Sequence, residues 1–168
     1  MPQMTDPTDA LVLYQQAFAT GQIPLQSGAL DPTIFVAVDR PNGHVRFSYM
    51  RFEGRTLIVL VMFAQSGLVG EHPCFSVGYA VPEAYRGKGL ATNTLVAGLA
   101  ELEHGLRRAN VPAIHVEAVI ARNHAVSQSV AAAVFDDAPT EIVDSVSGQP
   151  ALHYIRKVPL VFASPAKM

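Results

Sequence analysis

The sequence predicts an α+β domain with a mixed, mostly antiparallel sheet of six to seven strands. Three observations indicate this class. The first half of the chain contains strand-like segments joined by short turn signals, which is typical of an antiparallel meander. The second half places an amphipathic helical segment between two strand-like segments, a unit that forms a right-handed crossover between parallel strands. A turn signal between two further strand-like segments predicts a closing hairpin.

Length and composition indicate one globular domain, which we expect to cover residues 1–168. Hydrophobic residues make up 49% and charged residues 15% of the chain, enough for a sizeable buried core. The formal net charge of −2 gives no electrostatic reason to expect a nucleic-acid partner. Cys74 is the only cysteine, so an intrachain disulfide is excluded. No signal peptide or membrane span is predicted, and the cytoplasm is the expected compartment.

The first predicted elements are a helix and a hairpin. Leu11, Tyr14 and Phe18 follow one another at helical spacing, which predicts a short amphipathic helix. A connector rich in proline and glycine follows over residues 22–32. The Asn-Gly pair at 42–43 then separates "TIFVAVD" from "HVRFSYMRF" and is a strong hairpin signal.

The remaining elements complete the sheet. "RTLIVLVMFAQS" is apolar without alternation, which predicts a central strand covered on both faces. "CFSVGYAV" is the fourth predicted strand, and a helix with Leu95, Leu99 and Leu102 on one face follows it. "AIHVEAVI" is the fifth strand, "NHAVSQSVAAAVF" a further helix, and the chain closes with a hairpin about Ser147-Gly148.

The stretch "VPEAYRGKGLATNTL" joins the fourth strand to the helix. Its glycines allow a tight turn, and the helix that follows directs unpaired N–H groups and the positive end of its dipole to that turn. This arrangement predicts a phosphate site. A Walker A loop is excluded because Pro82 and Gly89 stand where it requires Gly and Ser or Thr, and Thr92 stands where a dinucleotide fingerprint requires its third glycine.

Arg86, Gly89 and Ala91 complete the pattern Arg/Gln-x-x-Gly-x-Gly/Ala. This pattern resembles the pyrophosphate-binding signature of the GNAT superfamily of acyl-CoA-dependent N-acetyltransferases. The resemblance extends over residues 74–135, where "HVEAVIARNHAVSQSV" is similar to the family's fifth strand and the Asn that follows it. "GYAV" and "GLAT" are most similar to the branch that acetylates N-termini of ribosomal proteins, whereas residues 1–32 do not match that branch.

The resemblance implies that the fourth and fifth strands splay apart and hold acetyl-CoA, the acyl donor, between them. The residues that it implies as cofactor contacts fall into a pantetheine group and a pyrophosphate group. They are Tyr79, Ala80, Val81 and Asn123 at the pantetheine, and Arg86, Gly87, Lys88, Gly89, Leu90, Ala91 and Thr92 at the pyrophosphate. No metal is expected, because no His, Asp and Glu residues have ligand spacing.

Attack by an amine requires a general base, because an alkyl ammonium is mostly protonated at neutral pH. Glu117, on the fifth strand near the splay, is the first candidate. Glu71 and His72, just before the fourth strand, are the next. His115 is expected on the opposite side of the strand from Glu117.

The proton donor for the departing thiolate is the point at which this chain departs from the family. Many members carry a Tyr at the position of Val130, and the ribosomal branch carries a Ser at the position of Val126. Ser127 takes this role if one residue is inserted at the start of the helix; otherwise the site has no side-chain acid. A Ser in the first turn of a helix is equally typical of local capping.

Three functions are compatible with the sequence. The leading hypothesis is transfer of an acetyl group from acetyl-CoA to a small-molecule or peptide amine, by direct attack in a ternary complex. The missing Tyr favours a second hypothesis, in which the protein is a non-catalytic acyl-CoA-binding sensor or assembly module. The third is an unrelated α+β domain whose glycine loop is only a turn. By analogy with the family we also expect a homodimer through the C-terminal strands, and no nucleic-acid or membrane partner.

Overall fold

The computed structural model describes residues 7–160, which form three α-helices and one mixed sheet of eight strands. The helices are α1 (Pro7–Ala19), α2 (Leu90–Arg108) and α3 (Ala125–Ala132). The strands are β1 (Gln26–Ser27), β2 (Phe35–Asp39), β3 (Arg46–Glu53), β4 (Thr56–Val69), β5 (His72–Ala80), β6 (Ala113–Ala121), β7 (Thr140–Val143) and β8 (Pro150–Pro159). None of the helices within residues 7–160 is long and apolar enough to cross a membrane.

The sheet has the order β1-β2-β3-β4-β5-β6-β8-β7. All neighbouring strands are antiparallel except β5 and β6, which α2 joins as a parallel pair. The predicted α+β class, the crossover and both hairpins are therefore confirmed. The sheet has one strand more than the upper end of the predicted six to seven, because the two-residue β1 lies inside the segment predicted as a connector. Pairing of Gln26 with Val36 defines it, and so short a strand carries no sequence periodicity.

Helices cover the sheet on both faces. On one face α2 buries Leu95, Leu99 and Leu102 against the sheet, and α3 packs beside it. On the other face α1 packs across β4 and β5, with Leu11 in a second apolar cluster. β4 is accordingly buried on both faces, which confirms the prediction of a central strand.

Strands β5 and β6 separate along their length. They pair only over Cys74↔His115, Phe75↔Val116 and Ser76↔Glu117. Both strands continue past the last of these pairs, which confirms the predicted splay. We call the wedge between residues 77–80 of β5 and 118–121 of β6 the cleft.

Candidate active site

The cleft exposes main-chain groups along one edge of β5. The opposite edge of that strand remains paired with β4 as far as Leu60↔Ala80, so β5 stays extended while it leaves β6. Within residues 7–160, no strand pairs with the cleft edge of β5 beyond Ser76. An extended ligand with amide groups, such as a pantetheine arm, would therefore find an extended main-chain edge at Tyr79, Ala80 and Val81.

The glycine loop lies at the end of this edge. Gly87 and Gly89 have φ angles of 78° and 72°, which side chains other than that of glycine rarely adopt. Gly89 is the N-cap of α2, and no side chain caps the helix there. The first N–H groups of α2, at Leu90, Ala91 and Thr92, precede the first intrahelical donor, Asn93. Open N–H groups at the positive end of a helix dipole suit an anion.

Two cations flank the loop. Arg86 donates from Nε to the Val81 carbonyl oxygen at 3.0 Å, so its side chain ties the loop to the end of β5. The Lys88 Nζ lies 5.3 Å from the centroid of the Tyr85 ring. The side chains of Arg86 and Lys88 are exposed. The two residues therefore surround the N-terminus of α2 with positive charge.

Glu117 occupies the base of the cleft, at the last paired position of β6. Its Oε1 accepts hydrogen bonds from the hydroxyls of Ser66 and Ser76, each at 3.1 Å. Its Oε2 lies 2.9 Å from His153 Nε2. Burial raises the pKa of Glu117, but the hydrogen bonds from His153, Ser66 and Ser76 outweigh burial and hold this pKa below its ordinary value. The carboxylate is thus ionised and links strands on both sides of the cleft.

A bulge in β4 delivers Ser66 to this carboxylate. The register with β5 shifts between Gln65 and Gly67, so Ser66 is an extra residue in the strand. Bulges redirect side chains in this way, and an isolated glycine within a strand pattern is their sequence signal. Gly67, with a φ angle of 112°, is the signal that could have found this feature from sequence.

Like Ser66 and Ser76, His153 is a residue of this cluster that the sequence does not single out. It lies on β8 opposite Val119 of β6, on the same face as Glu117. Alternation along β8 shows that His153 shares a face with Ala151 and Ile155. The pairing register between β6 and β8, which sequence does not reveal, decides that this face meets Glu117.

The prediction for His115 is wrong. His115 and Glu117 are two residues apart on one strand, and such side chains point to the same face. His115 stacks on His72, with ring centroids 5.9 Å apart, and its Nδ1 is buried without a hydrogen-bond partner among the described residues. Burial and the neighbouring His72 lower its pKa. This pair lies at the paired ends of β5 and β6, away from the cleft.

The structure does not bring Glu71 to the cluster. Glu71 is exposed in the turn between β4 and β5, and His72 begins β5. At about 3.3 Å per strand residue, Glu71 lies roughly 16 Å from Ser76, at the end of β5 away from the cleft.

Helix α3 borders the cleft. The Ser127 N–H donates to His124 Nδ1 at 3.2 Å, so His124 caps the helix and the Ser127 hydroxyl is not the cap. The Tyr79 hydroxyl donates to the Ser127 carbonyl oxygen at 2.5 Å and joins β5 to α3. Burial raises the pKa of Tyr79, which keeps the hydroxyl protonated. Asn123 is exposed immediately before α3.

Val130 stands at the position where the resemblance implies a Tyr. Its side chain is 8% exposed and extends from α3 into the core. Val126, by contrast, is 73% exposed at the start of α3. Neither side chain carries a proton donor. The hydroxyls on α3 are those of Ser127 and Ser129, and Ser129 Oγ donates to the Ala125 carbonyl oxygen at 3.2 Å.

The mixed sheet with its splayed parallel pair and crossover helix is the fold of the GNAT acetyltransferases. RimL, a ribosomal L7/L12 α-N-protein acetyltransferase solved with coenzyme A, is 16% identical with a TM-score of 0.51, over 67% of this chain and 62% of that one. Mycobacterium smegmatis RimJ, solved with a CoA disulfide, is 14% identical with a TM-score of 0.53, over 89% and 60%. The chain thus spans about three fifths of the length of these structures. Its sequence matches no family model and no curated protein.

Proposed function

We propose that the protein transfers an acetyl group from acetyl-CoA to a primary amine. The observation that carries this proposal is the juxtaposition of an open strand edge on β5 with an uncapped helix N-terminus at Gly89. The first suits the amides of a pantetheine arm, and the second suits a pyrophosphate. The RimL and RimJ structures, which share the fold, were solved with coenzyme A or its disulfide, and this supports the same donor here.

The residues present fit an acyl-CoA. Main-chain groups of Tyr79 and Ala80 would line the pantetheine, with Asn123 facing them from the start of α3. Residues 87–92 would hold the pyrophosphate through their N–H groups, and Arg86 and Lys88 would add charge. Acetyl-CoA supplies the activated acyl carbon as a thioester. A main-chain N–H of the β5 edge would stabilise the negative charge that develops on the acyl oxygen.

Direct attack by the amine fits the chemistry of the site better than an acyl-enzyme. Cys74 is the only cysteine, and its side chain is buried in β5. Burial raises the pKa of its thiol, so that it stays protonated and a poor nucleophile. We therefore propose a ternary complex of protein, acetyl-CoA and amine.

We place the two proton transfers on opposite sides of the cleft. Glu117, ionised at the base of the cleft, would attract the ammonium group of the acceptor and support its deprotonation. Ser127, on α3 beside the Tyr79 contact, would give a proton to the departing thiolate. Glu71 receives no role.

The acceptor would approach on the face that carries α1. A Cβ atom on Gly78 would lie 3.2 Å from the Pro7 ring, so the first residues of α1 lie directly over β5 beside the cleft. Glu117 and His153 point to this same face. Peptide N-termini are the acceptor class that we favour, because the description of RimL specifies a protein α-amino group. A small-molecule amine is the alternative acceptor.

A non-catalytic acyl-CoA-binding module is the second candidate function. The apolar Val130, where many GNAT enzymes carry their acid, favours it. Binding of acetyl-CoA without turnover of any amine would distinguish it from an enzyme.

The cofactor site is tested by calorimetry with CoA and acetyl-CoA. Wild type should bind both ligands, and Gly89→Trp should lose binding because a side chain at a φ of 72° strains the loop and fills the anion site. Gly54→Trp is the matched control: Gly54 has a φ of 60°, also meets no neighbour within 4 Å, and lies in the remote turn between β3 and β4. Absence of binding to wild type would leave the glycine loop as a turn.

A further inference from the structure

The Glu117 carboxylate is poorly suited to accept a proton itself. Its Oε1 already accepts two serine hydroxyls, and its Oε2 contacts His153 Nε2. Hydrogen bonds to a carboxylate favour its charged form, and the pKa of Glu117 is correspondingly lowered despite burial. The proton of an acceptor ammonium therefore needs a more basic recipient than this oxygen pair.

His153 offers such a recipient. An imidazole that donates from Nε2 to a carboxylate has its lone pair on Nδ1, and imidazole is the side chain suited to take up and release protons near neutral pH. The carboxylate fixes the tautomer and stabilises the charged ring, as in other base–orienter pairs. The 2.9 Å contact between His153 Nε2 and Glu117 Oε2 has this geometry.

The strand register places His153 beside the cleft. Glu117 marks the last β5–β6 pair, and His153 pairs with Val119, two residues further along β6 in the direction in which the strands separate. The His153 side chain is 27% exposed, so a substrate can reach it.

Other titratable groups surround the pair. Those on the same face or on the strands packed against it are Cys74 and His72 on β5, His115 on β6, Lys157 on β8, and Glu141 on β7. The first four lie toward the paired ends of β5 and β6 or further along β8, away from the cleft. Glu141 forms an ion pair with Arg122 at 3.0 Å. Of these groups, Cys74 interacts with Glu117: burial, and then the neighbouring Glu117 carboxylate, raise the pKa of its thiol, which stays protonated.

We infer that His153 is the general base of the reaction and that Glu117 is its positioning residue. This inference rests on the proposed acetyl transfer. The acceptor R–NH₃⁺ gives one proton to His153 Nδ1, and the neutral nitrogen then forms a bond to the acyl carbon as the carbon–sulfur bond breaks. The sulfur leaves as a thiolate and takes one proton from the Ser127 hydroxyl. The new amide nitrogen loses its remaining extra proton to solvent, and solvent returns a proton to Ser127. No electrons are exchanged with an oxidant.

His153→Gln tests the base. The glutamine amide nitrogen can replace Nε2 as donor to Glu117, whereas the amide cannot accept a proton. The probes are acetyl-CoA with peptides that begin with Ala, Ser or Met, a lysine peptide and spermidine, and release of the CoA thiol is measured. His153→Gln should lower kcat about 10²- to 10⁴-fold, remove the acidic limb of the pH–rate profile and leave CoA affinity unchanged.

His115→Gln is the matched control, since His115 lies on the same face of the same strand as Glu117 without contacting it. This variant should keep the rate and pH profile of wild type. Glu117→Gln should lower kcat with little change in the KM for acetyl-CoA, because the imidazole loses the carboxylate that fixes its orientation and tautomer. A purely structural role for the pair would lower thermal stability without altering the pH profile.

The results distinguish a wrong role for His153 from a wrong proposal of acetyl transfer. A wild type that binds CoA and acetylates a probe, with a His153→Gln variant equally active, overturns only the role of His153. A wild type that turns over none of the probes contradicts the proposed acetyl transfer and with it any catalytic role of this residue. Histidine ¹⁵N NMR provides a readout that needs no acceptor: the proton on Nε2 is expected, and a proton on Nδ1 alone overturns the inference.

Discussion

At the scale of single residues, the charge of Glu117 depends on donors from other strands. Ser66 comes from the β4 bulge, Ser76 from β5 and His153 from β8. Glu117 itself was a candidate from sequence because it follows the predicted splay. Its partners were not, since each contact joins residues at least 36 positions apart in the chain. Only pairing between strands brings them together.

The hydrogen bonds of Glu117 predict how stability depends on pH. Its pKa in the folded protein is lower than the value of 4.5 expected for an unfolded chain, so the unfolded state binds more protons between these two values. The stabilisation is complete above the unfolded pKa and is lost as pH falls through the folded pKa. Urea unfolding of wild type and Glu117→Gln from pH 7 to 3 should therefore show the advantage of wild type shrinking below about pH 5. A constant difference across this range would contradict the assignment.

At the scale of elements, a buried glutamate attaches the connector to α2. Glu101 is 8% exposed, and its carboxylate accepts the N–H groups of Ala29, Leu30 and Asp31 at 2.7 to 2.8 Å. The helix pattern gave no indication of this role, because a glutamate in a helix is usually on the solvated side. Residues 29–31 of the connector are thereby held against α2 at the β1–β2 side of the sheet. Ile23 and Leu25 of the same connector pack on the apolar cluster of the α1 face.

Glu101→Gln should destabilise the protein by about 1 to 3 kcal/mol, since an amide nitrogen then faces a main-chain donor that loses its partner. Thermal and urea unfolding measure this loss. Glu103→Gln is the control on the same helix, because Glu103 forms an i,i+4 ion pair with Arg107 at 3.7 Å, a type of contact that contributes little to stability. CoA affinity should be the same in both variants, and a selective loss in Glu101→Gln would show that the connector contributes to the cofactor site.

At the scale of the whole molecule, the sheet ends in an open strand. Among residues 7–160, β7 pairs with β8 on one side only, and Val143 on this edge strand is 68% exposed. Apolar residues on an open edge favour pairing with another chain. This edge is therefore the surface on which we expect the homodimer.

Sedimentation should show a concentration-dependent dimer for wild type, and Val143→Lys should shift it to monomer because an edge lysine opposes strand pairing. Thr140 is exposed on the same strand, and Thr140→Lys tests whether a lysine elsewhere on β7 has the same effect on the dimer. A wild type that remains monomeric at all concentrations would contradict the expectation.

The sequence by itself determined the element types, the crossover and the glycine loop, because these depend on periodicity and on local backbone preferences within short segments. "RGKG" before a helix specifies the glycine turn and the start of α2 locally, and the leucine spacing specifies the buried face of α2. The tertiary structure alone decided the bulge at Ser66, the two-residue strand β1 and the pairing of His153 with Glu117. Each of these depends on the register between strands distant in the chain, and register follows from how the whole sheet packs.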